Sequence, residues 1–268
     1  MAEVSVNGKT AHYTTGGKPW EAGLPLALFV HGAGGNQSLW VLQTRAVAHH
    51  GWNVAAVDLP GHGRSQDQPD LDSIEAYARW VCDFLDALGV EKAVVVGHSM
   101  GAVIATTLAA TYPDRVAGIV LVGSQETMPV NDQLLRASGE DIPLASAIIT
   151  FFGFHDRFQI GGAPNPGTWT HGAARAMMEQ CPPAVFHRDF EACNRWQGRP
   201  FAEKVRCPTL VVSGLGDRMT PARNGRILAG LIPGAVYQEL PDGGHFLPVE
   251  APRIFLGILQ DFLKTIEY

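Results

Sequence analysis

The segment GHSMG at 97–101 sets a single serine, Ser99, between Gly97 and Gly101, with an apolar run before it and a second beginning at Met100. A serine at a sharp strand-to-helix turn is held in a strained conformation with its hydroxyl clear of the sheet. Side chains two residues to either side would crowd that turn, and glycine at both places removes the crowding. The helix that follows aims its N-terminus near the hydroxyl and favours negative charge developing there. The apolar context on both sides is the one this turn requires, so the pattern predicts a nucleophile rather than an idle serine in a glycine-rich bend.

A serine hydroxyl is a weak nucleophile without a base, and the base needs an acid to orient it. The base is expected on a late loop, where DGGHFLPVEAP places His245 just before a C-terminal helix. Among the other histidines, His12 lies in an early hairpin, His49 and His50 end the first helix, and His155, His171 and His187 fall in a long insertion. These six read as surface or insertion residues. His98 adjoins the serine, but adjacent side chains at a sharp turn are expected to diverge. His31 and His62 lie in loop motifs and are expected to hold loop shape by hydrogen bonding.

The acid is expected after the penultimate strand, where TLVVSGLGDRMTP places Asp217 in a glycine-rich loop. Its plain alternative is a capping or surface aspartate ahead of Thr220-Pro221. Glu126, after the strand that precedes the insertion, is a rival carboxylate. Asp242, three residues before His245, is expected to shape the local turn. An oxyanion site needs two backbone N–H groups aimed at one point. Met100 supplies one. The loop HGAGGN at 31–36 supplies the other, with Ala33 the expected donor and Gly34 its neighbouring alternative. The same loop is no dinucleotide fingerprint: it lacks the G-x-G-x-x-G spacing, and Gly51-Trp52-Asn53 stands where an acidic ribose partner would be.

The elements that must position these residues follow from periodicity. LALFV (26–30), NVAAV (53–57), AVVVG (93–97), AGIVLV (117–122), TLVVS (209–213) and AVYQEL (235–240) are short runs, most of them apolar at consecutive positions, as in strands covered on both faces. Segments 3–7 and 10–15 predict a hairpin turning at Asn7-Gly8. Ser73 caps a helix whose apolar positions are Ile74, Tyr77, Val81, Phe84, Leu85 and Leu88, with Gly89 as its stop. Ile254, Phe255, Ile258, Leu259 and Phe262 mark a last helix, with Pro252 in its first turn. Strand and helix in alternation predict an α/β fold with a parallel sheet between helices.

More than eighty residues separate the strand ending near Val122 from the one starting near Thr209, far beyond an ordinary connection. This stretch carries Phe151, Phe152, Phe154, Phe158, Trp169, Phe186, Phe190, Trp196 and Phe201. It predicts a mainly helical lid over residues 124–204, inserted in a core formed by 1–123 and 205–268. Its aromatics, Phe152 and Trp169 among them, are candidates to line an apolar substrate pocket that expels water, against the plain reading of lid core packing.

Composition bounds the function. The chain has 268 residues, 46% of them hydrophobic and 17% charged, with a net charge of -6, so it offers no basic footprint for nucleic acid. The start MAEVSVNGKT lacks the pattern of a secretory signal, and no apolar stretch reaches membrane-spanning length. The expectation is a cytoplasmic protein with no membrane partner. Cys82, Cys181, Cys193 and Cys207 form no C-x-x-C pair, which argues against a zinc or redox site and leaves them as reduced thiols. No cofactor and no metal are expected.

Taken together, HGAGG, DLPGHGRS at 58–65, GHSMG, GLGDRMTP at 214–221 and GGHFLPVEAP at 243–252 resemble the α/β-hydrolase superfamily, in its lid-bearing, esterase-like branch. The resemblance spans nearly the whole chain and keeps that fold's order of serine, acid and histidine. It implies the α/β-hydrolase fold with a mostly parallel eight-stranded sheet, Ser99 as nucleophile, Asp217 as orienting acid and His245 as general base. It implies structural roles for Asp58, His62 and Arg64. Haloalkane dehalogenases and epoxide hydrolases of this fold carry aspartate at the turn, unlike Ser99. Carbon–carbon bond hydrolases commonly carry tryptophan after the histidine, where this chain has Phe246.

The expected activity is hydrolysis of a small carboxylic ester through an acyl-enzyme. Lactones, thioesters and cofactor-free perhydrolysis use the same machinery and stay open. A slow-turnover ligand receptor is the alternative of another class; a non-catalytic scaffold is disfavoured because all three residue types occupy the expected loops. A homodimer formed through the lid is compatible with the sequence.

Overall fold

The computed structural model describes residues 2–159 and 168–268. Its centre is an eight-stranded sheet: β1 (Ala2–Val6), β2 (Lys9–Thr14), β3 (Leu26–Val30), β4 (Asn53–Val57), β5 (Ala93–His98), β6 (Val116–Val122), β7 (Thr209–Gly214) and β8 (Val236–Leu240). The strand order is β1-β2-β4-β3-β5-β6-β7-β8. The β1–β2 and β2–β4 pairs are antiparallel, and β4 through β8 run parallel. The expected hairpin forms, with Asn7 and Gly8 both at positive φ in its two-residue turn.

Every residue of β3, β4, β5 and β7 is buried, the signature of strands sandwiched between helices. Alternate side chains feed two cores. Leu28, Val30, Val95, Ile119 and Val211 pack with residues of α2 (Ile74–Ala87), α3 (Met100–Thr111) and α10 (Ala222–Leu231). Phe29, Val94, Val96, Val120 and Val212 pack with α1 (Val41–Ala48) and α12 (Pro252–Leu263). The capping expected for α2 is present: the Ser73 hydroxyl accepts from Ala76 N, and Gly89 stands past the helix end with φ +68°.

Three details depart from the sequence reading. β5 continues one residue further, through His98. β8 is a half-covered edge strand whose first residue, Val236, is exposed. Ile254 follows the helical period of α12 yet points outward, at 62% exposure.

Between β6 and β7 lie α4 (Asp132–Glu140), α5 (Ile142–Gly153), α6 (Asp156–Gln159), α7 (Thr170–Met178), α8 (Pro183–Arg195) and α9 (Arg199–Ala202). The expected range 124–204 includes 160–167, which lie outside the described residues. The remaining short helix, α11 (Leu247–Glu250), leads into α12. Among the described residues no helix is long and apolar enough to cross a membrane.

The sheet register matters most for the site. Val30 is level with Gly97, and His98 with Val122, while Gly214 is level with Leu240. The loops that leave β3, β5, β7 and β8 therefore emerge along one edge, at the carboxyl ends of the parallel strands, where ligands bind in such sheets.

Candidate active site

Ser99 lies between the end of β5 and the start of α3, with φ +53° and ψ -118°. Besides Asn7 it is the only described non-glycine residue at positive φ. Such a conformation costs about 1–3 kcal/mol and persists where its surroundings enforce it. They do so here: Ser99 N donates to Val122 O at 2.9 Å, and the first turn of α3 closes on Ser99 O through Ala102 N at 2.9 Å. A Cβ on Gly97 would collide with the carbonyl of Gly101, and one on Gly101 with the carbonyls of Val30 and His31. Both glycines are thus required by backbone contact, as the sequence pattern implied.

His245 sits on the loop between β8 and α11. Its Nδ1 donates to Asp217 Oδ2 at 2.8 Å, and both side chains are almost fully buried. Asp217 uses its remaining capacity locally: Oδ1 accepts from Met219 N and Thr220 N, both at 2.8 Å, and Oδ2 from the Thr220 hydroxyl at 2.6 Å. The aspartate is both the turn-capping residue and the partner of the histidine. Ser99 and His245 line the same two clefts, although no hydrogen bond joins them among the described residues. Such bonds are commonly long before substrate is bound.

The clefts differ in size. The narrow one, of 30 Å³, is walled by Gly32, Ala33, Leu39, Met178, Phe190 and Phe246. The wider one, of 460 Å³, extends past Met128, Leu134, Ile148 and Phe152 toward Gln125, Asn131 and Arg218. Ala33 lines both.

The amides separate cleanly. Among the described residues the N–H groups of Ala33 and Met100 have no hydrogen-bond partner, whereas Gly34 N donates to Asp189 Oδ2 at 3.0 Å. That bond removes Gly34 as the alternative donor and leaves Ala33. Ala33 is partly buried and Met100 fully buried, so two N–H groups near Ser99 in the sequence and the cleft are left free to donate.

Other expectations need correction. Glu126 does not approach His245; it pairs with Arg199 at 2.9 Å. Asp242 does not shape the histidine loop, because its side chain is largely exposed and pairs with Arg157 at 3.5 Å. Glu250 holds that loop instead. Its carboxylate accepts from Gly244 N (3.1 Å), Phe246 N (2.9 Å) and His155 N (2.9 Å). Burial pushes Glu250 up to about 7 despite those three bonds.

His98 does not diverge from the site. Its ring lies 4.7 Å from that of His245, and its Nε2 donates to His245 O at 2.9 Å. Burial and the neighbouring His245 keep His98 well below the usual histidine range, hence neutral. Trp169 is 66% exposed, stacks on His171 and lines neither cleft, whereas Phe152 lines the wider one.

His31 and His62 hold loops, as expected. His31 Nδ1 donates to Gly32 O at 2.8 Å and Nε2 accepts from Leu59 N at 3.0 Å; burial lowers its pKa to about 3. Asp58 accepts from Gln37 N and Arg64 N. His62 also has a partner that sequence reasoning missed, Asp189, at 2.8 Å. The four cysteines are free thiols. Among the described residues no three His, Cys, Asp or Glu side chains are placed to hold a metal ion.

A family model described as the alpha/beta hydrolase fold matches residues 25–147. A relative from Klebsiella pneumoniae (strain 342), named "Putative carbamate hydrolase RutD", is 27% identical over 265 residues, covering 92% of this chain and 94% of its own. The enol-lactonase from Burkholderia xenovorans LB400 superposes with a TM-score of 0.89 at 25% identity, covering 98% of this chain and all of the other. Est816, described as an N-acyl homoserine lactone degrading enzyme, superposes with a TM-score of 0.83 at 28% identity, covering 97% of this chain and 100% of its own.

Proposed function

We infer that the chain, which has the alpha/beta hydrolase fold, is a serine hydrolase that cleaves a small carboxylic ester, open-chain or cyclic. One observation carries the reading. Ser99, the Asp217-bonded His245 and Ala33 line one cleft, and among the described residues the amides of Ala33 and of Met100, the residue after Ser99, have no hydrogen-bond partner. Two of the structural relatives act, by their descriptions, on lactones, which are cyclic esters.

In this reading His245 Nε2 takes the proton from Ser99 as Oγ bonds to the substrate carbonyl carbon. The carbonyl oxygen gains the negative charge and is held by Ala33 N and Met100 N, aided by the N-terminus of α3. The carbon–oxygen bond to the leaving group breaks, and His245 returns the proton to that oxygen. Water then attacks the acyl-enzyme with His245 again as base, releasing the acid and Ser99. Asp217 keeps the Nδ1 proton in place and stabilises the imidazolium. Residues 124–204 act as the lid, and Phe152 and Phe190 present the apolar wall that excludes water.

The test is turnover of short, medium and aryl-acetic p-nitrophenyl esters, a lactone and a carbamate, with Ser99→Ala alongside. Multiple turnovers lost in Ser99→Ala are expected. Turnover that survives in the variant, or a single-turnover burst with ligand retained, would refute the reading. Preference for the carbamate would keep the nucleophile and replace the substrate class.

A further inference from the structure

The loop that supplies Ala33 is a tight turn. Gly35 N donates to Gly32 O at 3.0 Å, with Ala33 and Gly34 between them. Gly34 has φ +64° and Ala33 is not at positive φ, which makes the turn type II. The Ala33–Gly34 peptide is anchored by what its N–H binds, and Ala33, whose Cα and carbonyl belong to that peptide, is placed with it.

That N–H binds Asp189, a carboxylate of α8 with no solvent exposure. Oδ2 accepts from Gly34 N at 3.0 Å and from His62 Nε2 at 2.8 Å, and Oδ1 accepts from the Tyr77 hydroxyl at 2.9 Å. Phe186, one turn earlier on α8, fills the space a Cβ on Gly34 would need. The Gly32–Gly35 turn, the 58–65 loop and α2 thus meet on one carboxylate of the insertion.

We propose that Asp189 is a positioning residue for the oxyanion site: by holding Gly34 N it fixes the turn that presents Ala33 N to the carbonyl oxygen at Ser99. This rests on the serine-hydrolase reading above. The arrangement also has to be electrically tolerable. A lone carboxylate one residue from an oxyanion donor would oppose the charge that forms there. Burial alone would lower His62, but Asp189 holds it well above the usual histidine range; burial would raise Asp189, but His62 keeps it below the usual carboxylate range. The two form an ion pair, and its field at the cleft falls off faster than that of one charge.

The test compares Asp189→Ala, which leaves Gly34 N without its acceptor, with Tyr77→Phe. The second variant removes the Oδ1 partner and leaves the Gly34 bond intact, so it reports loss of hydrogen bonding in the same network. Three quantities are read: thermal unfolding, kcat and KM on the best ester, and the rate at which a fluorophosphonate labels Ser99, followed by intact mass. Labelling forms an Oγ–P bond and releases fluoride, with the serine proton passing to His245. It needs the oxyanion site but no ester substrate.

Asp189→Ala should lower kcat and the labelling rate by about 10- to 100-fold, less than the roughly 100- to 1000-fold cost of losing a donor outright. KM should stay within about threefold, and Tyr77→Phe should change both rates by less than about threefold. Folded Asp189→Ala with wild-type rates overturns the proposal, as does Tyr77→Phe slowing both rates equally. If Asp189→Ala does not fold, Asp189→Leu carries the test: it fills the space, removes the acceptor of Gly34 N and should slow both rates at least about tenfold. Wild-type rates in it overturn the proposal. A wild type that is labelled but turns over no ester sinks the ester reading, while the labelling ratio still decides this one. A wild type not labelled at Ser99 sinks both.

Discussion

Asp217→Asn separates catalysis from stability more sharply than any other single change. All the acceptor capacity of this carboxylate is in use. Oδ1 faces two main-chain donors, Met219 N and Thr220 N, and Oδ2 faces His245 Nδ1 and the Thr220 hydroxyl. Asparagine brings one oxygen and one NH2. Turning the NH2 toward the main chain would leave two buried N–H donors unmet, at about 1–3 kcal/mol each. The oxygen must therefore face Met219 and Thr220, and the NH2 takes the place of Oδ2. There it donates to His245 Nδ1, while the Thr220 hydroxyl rotates to accept. His245 is driven to carry its proton on Nε2, where it cannot take one from Ser99. A preference of about 2–6 kcal/mol leaves roughly one molecule in 30 to one in 10⁴ with the productive tautomer. Loss of the negative charge that stabilises the imidazolium adds to this, so kcat should fall by about 10³- to 10⁴-fold. KM should hold within about threefold, and the unfolding temperature should move little because the hydrogen bonds are conserved in number. The assays are steady-state kinetics on the best ester, calorimetry, and the ¹⁵N shifts of the imidazole. A kcat within tenfold of wild type, or Nδ1 still protonated in the variant, refutes the argument.

Two further changes probe the supports. Gly97→Ala places a Cβ against the Gly101 carbonyl, a backbone atom that cannot step aside; overpacking of about 1–3 kcal/mol should lower the unfolding temperature by several degrees, and kcat should fall more than about tenfold as Ser99 shifts. Equal activity at equal stability would show that the turn is looser than described. For Glu250 the sign follows from burial: its carboxyl is raised from 4.5 to about 7 in the folded protein, so its contribution to stability is complete below about pH 4.5 and is lost as pH rises through 7. Urea midpoints of wild type and Glu250→Gln should therefore diverge in pH slope across that window, the wild type losing up to about 3 kcal/mol more than the variant. Parallel slopes would show that Glu250 titrates at its ordinary value.

The residues proposed to carry the chemistry stand out in the sequence because each follows a strand on a loop that its own neighbours define. Gly97 and Gly101 announce the turn at Ser99. The glycines of 214–216 and 243–244 place Asp217 and His245 just past β7 and β8. Asp189 and Glu250 were not legible in that way. Asp189 meets His62 across 127 residues and Gly34 across 155, and no local pattern encodes such meetings. A signal did exist in VFHRDFEACNR. Val185, Phe186, Phe190 and Cys193 mark the buried stripe of α8, and Asp189 lies on it, where an acid is expected only with buried partners. Aromatic content misled at Trp169, since abundance of rings does not say which of them face a cleft.

The insertion does more than wall the cleft. Phe152 O accepts from Arg218 N at 3.2 Å, beside Asp217. Gly153 O accepts from His245 N at 2.6 Å, and His155 N donates to Glu250. Asp189 holds Gly34 and His62. The insertion is therefore bonded to the acid loop, the histidine loop and the oxyanion loop together. Counting about 0.5–1.5 kcal/mol for a neutral hydrogen bond and about 1.5–3 for one to a charged group, releasing these five contacts at once costs about 6–12 kcal/mol. A concerted opening would then be populated below about one part in 10⁴. Under the proposed function, substrate enters by local motion along the wider cleft, past Phe152 and Arg218, while the helices that carry Gly153 and Asp189 stay docked. The strain at Ser99 requires as much, because a residue held at φ +53°, here the proposed nucleophile, keeps its geometry only while the loops around it are fixed.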